Sequence, residues 1–319
     1  MTELIIRAIP QQFKALYTLS RVLPVLSWGI TSSLVGLGCA HAVNNTIHWL
    51  DYGLIVMFII VVHGILSHAI NDREDWLSGT DQLSPGILSG GSGVILKRQY
   101  TLAELSFVGK SALGTACIIA IYLIGSAGLL VMPFLALAVW SALAYSCPPL
   151  RLSYHPLAGE WLCGFPAVWG CAVGTFYVLT HHINGMVVIA GAIHALLAIG
   201  LLMHHHLSDI SSDLQSTPRK LTSVALVGVT FGMPKTIWVE SVYFLLALLL
   251  AVIGVWFFHP VFWITILTSA GCLKAALTTV PEDISSITNR EYFLYALIIG
   301  DAVIKMAVLS FGPVLGWPP

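Results

Sequence analysis

Nine apolar segments, each long enough to cross a bilayer with roughly 20 helical residues, limit what this chain can fold into. Backbone polar groups in lipid must be satisfied within their own segment, so these segments are expected to be helices. We therefore predict an all-α polytopic membrane protein. The expected transmembrane helices cover residues 20–40, 50–70, 105–125, 128–146, 161–180, 187–207, 237–257, 261–279 and 293–313.

The remaining sequence gives no sign of a second domain, so residues 1–319 are expected to form a single transmembrane domain. The first 19 residues include Arg7 and Lys14 but lack a signal-peptide core with a small-residue cleavage site. We expect them to form a retained segment at the cytoplasmic membrane interface. The six cysteines are scattered without metal-ligand spacing and are expected to be packing residues.

Lysine and arginine residues predict the orientation of the chain. They precede the first expected span or lie near alternate connections, whereas the opposite connections contain neither residue. By the positive-inside rule the N-terminus is cytoplasmic, and nine spans then place the C-terminus outside. The net charge of −1 does not point to a class of partner, and we expect a lipid bilayer but no nucleic acid.

Acidic residues form two clusters, although charged residues make up only 9% of the chain. Each cluster follows an even-numbered apolar segment on the expected cytoplasmic side. On a helix, carboxylates three or four positions apart project from one face and repel one another unless a cation lies between them. The first cluster contains Asp72, Glu74, Asp75 and Asp81, and the second contains Asp209 and Asp213.

Two such clusters could bind divalent cations and a phosphorylated substrate. Mg²⁺ takes oxygen ligands and is typically held by a few carboxylates plus substrate phosphates. Facing clusters would hold a diphosphate through bridging metal ions. The alternative is that these are solvated charges that end helices, which is a weaker explanation for two clusters than for one. The expected metal ligands are Asp72, Asp75, Asp81, Asp209 and Asp213.

A diphosphate also needs cationic partners, because its charge exceeds what metal ions alone neutralise. Most cations in the cytoplasmic connections would serve topology or lipid headgroups. Arg151 lies in a short connection beside Tyr145 and Tyr154. The Arg219-Lys220 pair closely follows the second acidic cluster, so these three cations are the candidates for substrate contact.

The acidic motifs resemble the two aspartate-rich motifs of the UbiA superfamily of intramembrane prenyltransferases. The matching residues are Asn71-Asp72-x-x-Asp75 with Asp81 following, and Asp209-x-x-x-Asp213. The Gly79-Thr80-Asp81 ending and the segment from Tyr145 to Gly159-Glu160 are similar to the 1,4-dihydroxy-2-naphthoate polyprenyltransferase branch. The resemblance extends from Arg21-x-x-Pro24 to the ninth expected span.

The resemblance implies helices around a central cavity, Mg²⁺ held by both motifs through diphosphate, and transfer of an isoprenoid chain to an aromatic acceptor. The leading candidate for the acceptor is 1,4-dihydroxy-2-naphthoate in menaquinone biosynthesis. The resemblance assigns catalysis to Asp72, Asp75, Asp209 and Asp213. We expect diphosphate binding by Asn71 of the first motif and by the three candidate cations Arg151, Arg219 and Lys220. We expect the acceptor and prenyl cavity to include Tyr145, Tyr154 and Glu160 of the matching segment, together with His205 and His206.

Histidines mark the departures from that branch. His68 replaces an asparagine that commonly precedes the first motif, and His205-His206-Leu207-Ser208-Asp209 replaces an Asn-Asn-x-Arg-Asp pattern. We expect His68, one helical turn before Asp72, to act catalytically on the acceptor side as a proton acceptor or polar anchor. His204, His205 and His206 point about 100° apart on a helix and cannot all bind one metal. Contacts to Asp209 or substrate and interhelical hydrogen bonds are the open alternatives for them.

Two other functions remain open from the sequence. The same ionisation of a prenyl diphosphate without an acceptor would make the protein a membrane terpene cyclase or an enzyme of specialised metabolism. A transporter is the alternative from another class, because membrane-embedded charges often line pathways. The acidic residues cluster at one membrane face instead of the midplane, which disfavours transport. Asp301 and Lys305, four positions apart in the last span, are expected to be a buried structural pair.

Overall fold

The computed structural model describes residues 2–43, 46–84 and 88–311, with side chains from residue 11 onward. Over these ranges the chain is helical and contains no strand. Met1, the last two residues of the expected ninth span and the C-terminal end of the chain lie outside the described residues. In chain order the helices are α1 (Thr2–Ser20), α2 (Val22–Val43), α3 (Trp49–Ser78), α4 (Thr80–Leu83), α5 (Leu102–Ala127), α6 (Leu129–Ala144), α7 (Glu160–Thr180), α8 (Gly185–His205), α9 (Ile210–Gln215), α10 (Ser223–Phe231), α11 (Met233–Phe257), α12 (Phe262–Leu277) and α13 (Ile284–Phe311).

Each of the nine expected spans overlaps one of these helices. In the described ranges, seven helices are long and apolar enough to cross a membrane, namely α2, α3, α5, α7, α8, α11 and α13. The helices α6 and α12 are apolar but shorter. The prediction of an all-helical membrane-type fold is therefore confirmed, whereas the count of nine transmembrane helices is not.

Two helix boundaries differ clearly from the sequence prediction. Helix α3 continues to Ser78 instead of ending near residue 70, and α13 begins at Ile284 instead of residue 293. Polar residues inside these extensions are buried in the bundle, as for Asp75 and Glu291. Because protein partners satisfy these charges, the helices do not end where the apolar pattern ends.

Helix α8 lies at the centre of the bundle. It packs against α2, α7, α11 and α13, and nearly all of its side chains are buried. Helix α5 lies at the periphery and carries large exposed apolar side chains such as Phe107, Ile118 and Ile121. Extensive exposed apolar surface of this kind is expected where a helix faces lipid. The core thus consists of side chains packed between helices, and the outer surface is apolar.

Three spans contain π-helical turns that border the interior of the bundle. These turns cover Val25–Ile30 in α2, Ile60–Ser67 in α3 and Glu160–Gly164 at the start of α7. Such turns are rare and are found frequently at functional sites. Gly29 lies in the first of them, where a Cβ atom would collide with Ile59 and approach His63 Nδ1 to 3.1 Å. The close approach of α2 to α3 therefore requires glycine at this position.

The Asp301–Lys305 pair is buried within α13, as the sequence predicted. Lys305 Nζ lies 2.6 Å from Asp301 Oδ2, and Thr265 Oγ1 donates a hydrogen bond to Asp301 Oδ1 at 2.7 Å. Both charged residues are at most 2% exposed. Removal of one partner would leave an uncompensated charge in an apolar bundle.

We expect Asp301→Asn or Lys305→Met alone to destabilise the protein by about 3–5 kcal/mol, because each leaves a buried charge unpaired. The double variant should recover much of the loss, since the two effects are strongly coupled. Thermal unfolding in detergent, followed by tryptophan fluorescence, measures both effects. A double variant that is as unstable as the sum of the single changes would contradict a structural pair.

Candidate active site

Lys220 joins the two acidic clusters. Its Nζ atom lies 3.0 Å from Asp75 Oδ2 in the first cluster and 3.6 Å from Asp213 Oδ1 in the second. Burial opposes the charge on this lysine, but Asp213 and Asp75 outweigh that effect and raise the pKa of Lys220 well above its usual range. The two motifs, which are far apart in the sequence, therefore meet at one buried cation.

Backbone hydrogen bonds hold the segment after α9 against the end of α3. Thr217 N donates to Ser78 O at 2.8 Å, and Lys220 N donates to Asp213 O at 3.0 Å. Leu221 N donates to Tyr154 O at 3.1 Å, which adds the connection between α6 and α7. These bonds fix the position of the Lys220 side chain between the two carboxylates.

Asp75 has further neutral partners. Tyr154 donates its hydroxyl to Asp75 Oδ1 at 2.9 Å, and Asn71 Nδ2 donates to Asp75 Oδ2 at 2.9 Å. Asn71 also donates to Ser146 Oγ at 3.1 Å. With Lys220, these contacts hold the Asp75 carboxylate in one orientation.

The glycine-rich segment after α4 packs directly on the first cluster. Ser92 donates from its backbone N–H to both Asp72 oxygens at 3.1–3.2 Å, and its hydroxyl also contacts Asp72. Gly91 has a φ of 73°, and a Cβ atom there would collide with Asp81 and lie 3.1 Å from Asp72 Oδ1. The backbone can approach both carboxylates only because residue 91 has no side chain.

Asp213 has unsatisfied carboxylate oxygens. It is fully buried, and neither oxygen has a hydrogen-bond partner among the described residues. Burial raises the pKa of Asp213 to about 8, while Lys220 opposes the rise and neighbouring carboxylates add to it. Burial also raises the pKa of Asp81 well above its usual range, again with a contribution from nearby carboxylates. The site therefore has more acidic groups than its cations balance.

This donor set fits Mg²⁺ that is shared with a substrate. No three His, Cys, Asp or Glu side chains in the described ranges converge into a complete metal centre. Mg²⁺ does not need one, since it keeps several waters and is bound by one or two carboxylates together with substrate phosphates. The Asp213 carboxylate, which accepts no hydrogen bond from the described residues and has the Lys220 ammonium 3.6 Å away, lies behind the cavity wall, and the cavity-facing carboxylates of Asp75, Asp81 and Asp209 suit such an ion.

A cavity extends from the acidic clusters into the apolar interior of the bundle. Helix α3 lines it from Asp75 back to Ile55, a distance along the helix of about 30 Å at 1.5 Å per residue. The cavity thus combines a charged end with a long apolar wall. Apolar residues of that wall include Ile55, Phe58, Ile59, Val62, Leu123, Phe134, Leu135 and Val178.

Most of the residues singled out from the sequence line this cavity, and the others lie nearby with different contacts. Asp72 contacts Ser92 as described above, and Tyr154 is buried behind Asp75. Glu160 is buried at the start of α7, where the Ser223 side chain hydrogen-bonds its carboxylate. The cavity-lining set is His68, Asn71, Asp75, Asp81, Tyr145, His205, His206, Asp209 and Lys220.

Arg151 and Arg219 do not line the cavity. Arg151 Nη2 lies 3.1 Å from Glu74 Oε2, and its guanidinium lies 5.5 Å from the centroid of the Tyr154 ring. Arg219 is exposed at the surface. Arg151 therefore pairs outside the cavity with Glu74, which the sequence analysis did not include among the site residues.

The three consecutive histidines point to three different partners, as the helical spacing predicted. His204 Nδ1 lies 2.6 Å from Glu240 Oε2, and His205 Nδ1 lies 2.7 Å from Glu291 Oε1. His206 Nε2 lies 3.3 Å from Tyr145 Oη, and burial lowers the pKa of His206 well below its usual range. His206 is therefore a neutral imidazole on the cavity wall.

His63 is a cavity residue that the sequence analysis missed. Its ring stacks on Trp28 at a centroid distance of 5.7 Å and lies 5.6 Å from the His68 ring. His68 Nδ1 is 3.0 Å from Gly64 O, so that nitrogen faces the backbone. The π-helical turns bring residues five positions apart toward one face, a shift that α-helical periodicity does not predict. The sequence analysis also missed Ser92, and it named Arg21 only as the start of the family resemblance.

Comparison with known proteins identifies a family. Residues 97–298 match the model of the UbiA prenyltransferase family. A UbiA homologue from Archaeoglobus fulgidus bound to GPP and Mg²⁺ superposes with a TM-score of 0.67 and 14% identity, over 92% of this chain and 100% of that chain. An apo UbiA homologue from Aeropyrum pernix K1 gives a TM-score of 0.59 and 16% identity, over 92% and 97% of the two chains. A structure of digeranylgeranylglyceryl phosphate synthase gives a TM-score of 0.57 and 14% identity, over 94% of this chain and 99% of that chain. No curated protein sequence gives a significant match.

The pKa of Asp213 predicts a pH-dependent effect of Mg²⁺ on stability. The folded-state pKa of about 8 exceeds the ordinary value of 3.8, so in the metal-free protein the stabilising contribution of this group is lost as the pH rises through 8. Bound Mg²⁺ displaces the proton, so the shift in melting temperature caused by MgCl₂ should increase from pH 6 to pH 9.

Thermal unfolding across this pH range, with and without MgCl₂, measures that shift. Asp213→Asn should make the effect of MgCl₂ smaller and less dependent on pH. An Mg²⁺ effect in the wild-type protein that stays constant between pH 6 and pH 9 would contradict the assignment of Asp213 as a ligand.

Proposed function

The chain belongs to the UbiA prenyltransferase family, and we propose that it transfers an isoprenoid chain from a prenyl diphosphate to an aromatic acceptor with Mg²⁺ as cofactor. The observation that carries this proposal is the joining of both acidic clusters at Lys220, at the charged end of a long apolar cavity. The homologue from Archaeoglobus fulgidus, which was solved with GPP and with DMAPP together with Mg²⁺, supports it.

Binding of the diphosphate is assigned to the charged end of the cavity. Asp72, Asp75, Asp81, Asp209 and Asp213 would hold Mg²⁺ together with phosphate oxygens. The chemistry that Mg²⁺ supplies when bound is neutralisation of the charge that develops on the departing diphosphate. Lys220 remains protonated between its carboxylates and adds a fixed positive charge at the same place.

The apolar wall provides the second requirement of the reaction. Breaking the bond between C1 and the diphosphate oxygen leaves an allylic cation, which water would quench. Side chains such as Phe58, Val62 and Leu135 exclude water from the space beside the charged end. Aromatic rings on the wall, including Trp28 and Phe134, also present electron-rich faces to a cation.

An electron-rich ring carbon of the acceptor is proposed to form the new bond to C1 of the cation beside Tyr145 and His206, after which the ring releases a proton. These residues lie 3.3 Å apart between Tyr145 Oη and His206 Nε2, and His206 Nδ1 is buried without a hydrogen-bond partner in the described part of the chain. A neutral imidazole and a phenol can hold the hydroxyl groups of an aromatic ring. His205 and His68 line the same cavity, but both ring nitrogens of His205 contact Glu291 and Arg21, so His68 is the one proposed to contribute to this side.

The resemblance of the segment from Tyr145 to Glu160 makes 1,4-dihydroxy-2-naphthoate, and with it menaquinone biosynthesis, our proposed acceptor and pathway. Tyr154 is proposed to orient Asp75 instead of contacting the acceptor, because its hydroxyl donates to that carboxylate. Asn71 is proposed to act in the same way on the other oxygen of Asp75. Arg151 and Arg219 are not part of this proposal, since one pairs with Glu74 and the other is exposed.

We also propose the arrangement in the membrane. The seven long helices together with α6 and α12 would give nine spans in a single domain over residues 1–319. The distribution of positive charge favours a cytoplasmic N-terminus, an active site that opens to the cytoplasmic side, and a C-terminus on the opposite side.

A direct assay tests the function. Purified protein with Mg²⁺ is incubated with prenyl diphosphates of several lengths, with and without 1,4-dihydroxy-2-naphthoate, and the products are identified by mass spectrometry. We expect the protein to form a prenylated naphthoate only when Mg²⁺, a prenyl diphosphate and 1,4-dihydroxy-2-naphthoate are all present. Release of diphosphate with a cyclic hydrocarbon in the absence of acceptor would replace the transferase assignment with a cyclase. Absence of diphosphate release under every condition would refute both.

Four variants test the two-cluster site. Asp72→Ala, Asp75→Ala, Asp209→Ala and Asp213→Ala should each lower kcat by roughly 100-fold or more, above the range typical of partners that only support a metal ligand. The measurement is product formation at saturating Mg²⁺. Glu282, an exposed acidic residue away from the cavity, provides the control, and Glu282→Ala should leave turnover unchanged. Near-normal turnover in any two of the four aspartate variants would rule out the assignment.

A further inference from the structure

Three polar residues from distant parts of the chain form a line that ends at the cavity. Glu291 Oε1 in α13 lies 2.7 Å from His205 Nδ1 at the end of α8. His205 Nε2 in turn lies 3.2 Å from Arg21 Nη2, in the junction between α1 and α2. Arg21 and His205 line the cavity that contains the acidic clusters, whereas Glu291 lies behind His205 and is 2% exposed.

The contacts fix the direction of the hydrogen bonds. A carboxylate only accepts, so His205 donates its Nδ1–H to Glu291. A guanidinium only donates, so His205 Nε2 accepts from Arg21. Arg21 Nη2 also donates to Leu88 O at 2.9 Å. Both hydrogens of Nη2 are thus directed to protein acceptors, and within the described ranges the other three N–H groups of the guanidinium remain available to a ligand.

The backbone of Arg21 is unusual as well. Its φ and ψ angles of 45° and 70° lie in the left-handed region, which non-glycine residues seldom adopt. This conformation ends α1 at Ser20 and starts α2 at Val22. Non-glycine residues in such conformations persist only where the surrounding structure holds them, and they are concentrated at ligand sites.

The surroundings of Arg21 indicate an anionic ligand. The guanidinium interacts electrostatically with Asp72, Asp81 and Glu291 but forms no direct ion pair with any of them in the described structure. It therefore lies near the carboxylates without being neutralised by contact with one of them. Arginine presents a planar fork of donors that matches phosphate oxygens, whereas Lys220 offers a single point charge.

We propose that Arg21 binds the diphosphate group of the substrate, and that Glu291 and His205 are positioning residues that hold its guanidinium toward the cavity. The inference rests on the proposed function, because it takes prenyl diphosphate as the ligand of this cavity. Glu291 fixes the tautomer of His205, and His205 removes rotational freedom from the long Arg21 side chain. Helix α13 thereby controls a substrate contact made at the junction between α1 and α2.

A second histidine–glutamate pair in the same region provides a matched control. His204 Nδ1 lies 2.6 Å from Glu240 Oε2, as close as the pair in the proposed line, and both residues are buried. The other nitrogen of His204 faces Ile287 O at 2.9 Å, and neither residue lines the cavity. Glu240→Ala therefore removes a neighbouring buried histidine–glutamate pair that has no contact with Arg21, although His204, with an acceptor at each ring nitrogen, donates from both whereas His205 donates from one.

The test measures binding of inorganic pyrophosphate with Mg²⁺ by calorimetry or by the shift in melting temperature, so it does not depend on acceptor identity or turnover. Arg21→Gln should weaken binding by roughly tenfold or more, the size expected for loss of charge-assisted hydrogen bonds. Glu291→Ala should also weaken binding, whereas Glu291→Gln, which keeps an acceptor for the Nδ1–H and loses only the charge, should bind pyrophosphate at least as tightly as the wild-type protein. Glu240→Ala should change stability but not pyrophosphate affinity.

The sign of the Glu291→Ala effect separates positioning from simple electrostatics. Loss of a negative charge alone would tighten the binding of an anion, whereas loss of positioning weakens it. In the double variant Arg21→Gln/Glu291→Ala, the second change should add nothing, because Glu291 acts through Arg21. Additive losses, tighter binding in Glu291→Ala, or unchanged binding in Arg21→Gln would overturn the proposal. Failure of the wild-type protein to bind pyrophosphate would instead refute the proposed function.

Discussion

The attraction between Lys220 and two buried aspartates is the interaction on which the rest of the site depends. Carboxylates in an apolar bundle are costly unless a positive charge lies close to them. Asp75 and Asp213 come from opposite halves of the chain, and one ammonium group contacts both. The backbone bonds from Thr217 and Leu221 make that contact possible by tying three connections together. The ion pairs of Lys220 and the backbone hydrogen bonds of these connections therefore depend on each other.

Much of the architecture could be predicted from the sequence because burial in a bilayer gives a strong and simple signal. Apolar length located the seven helices that are long enough to cross a membrane, and the acidic spacing identified residues that lie together. The helix ends were less predictable, since α3 continues through Asp72 and Asp75 once these residues have partners inside the bundle. The last apolar residue marks the end of the apolar segment, whereas the helix continues as long as its backbone hydrogen bonds do.

The site was harder to predict in its cations and its histidines. Arg151 and Lys220 both lie in loops after a tyrosine or an acidic motif. Their local sequences do not show that Arg151 pairs with Glu74, whereas Lys220 pairs with Asp75. The role of Arg21 could not be predicted, because its contacts with Leu88 and His205 are made to residues far away in the sequence. His63 was missed because π-helical turns change the face that a residue occupies. A contact between residues that are far apart in the sequence leaves no recognisable pattern in the sequence around either residue.

The dual role of α3 has a consequence for how this chain can vary. One continuous helix carries Asp75 at the charged end and Ile55 far along the apolar wall, so reaction centre and wall share a single register. Insertion of one residue between them would rotate everything beyond it by about 100° and move it by about 1.5 Å. Either the carboxylates or the apolar residues of the wall would then no longer face the cavity. A change in the length of α3 would therefore need a compensating π-helical turn such as that over Ile60–Ser67, and we expect adaptation to a longer or shorter hydrocarbon to come from side-chain size.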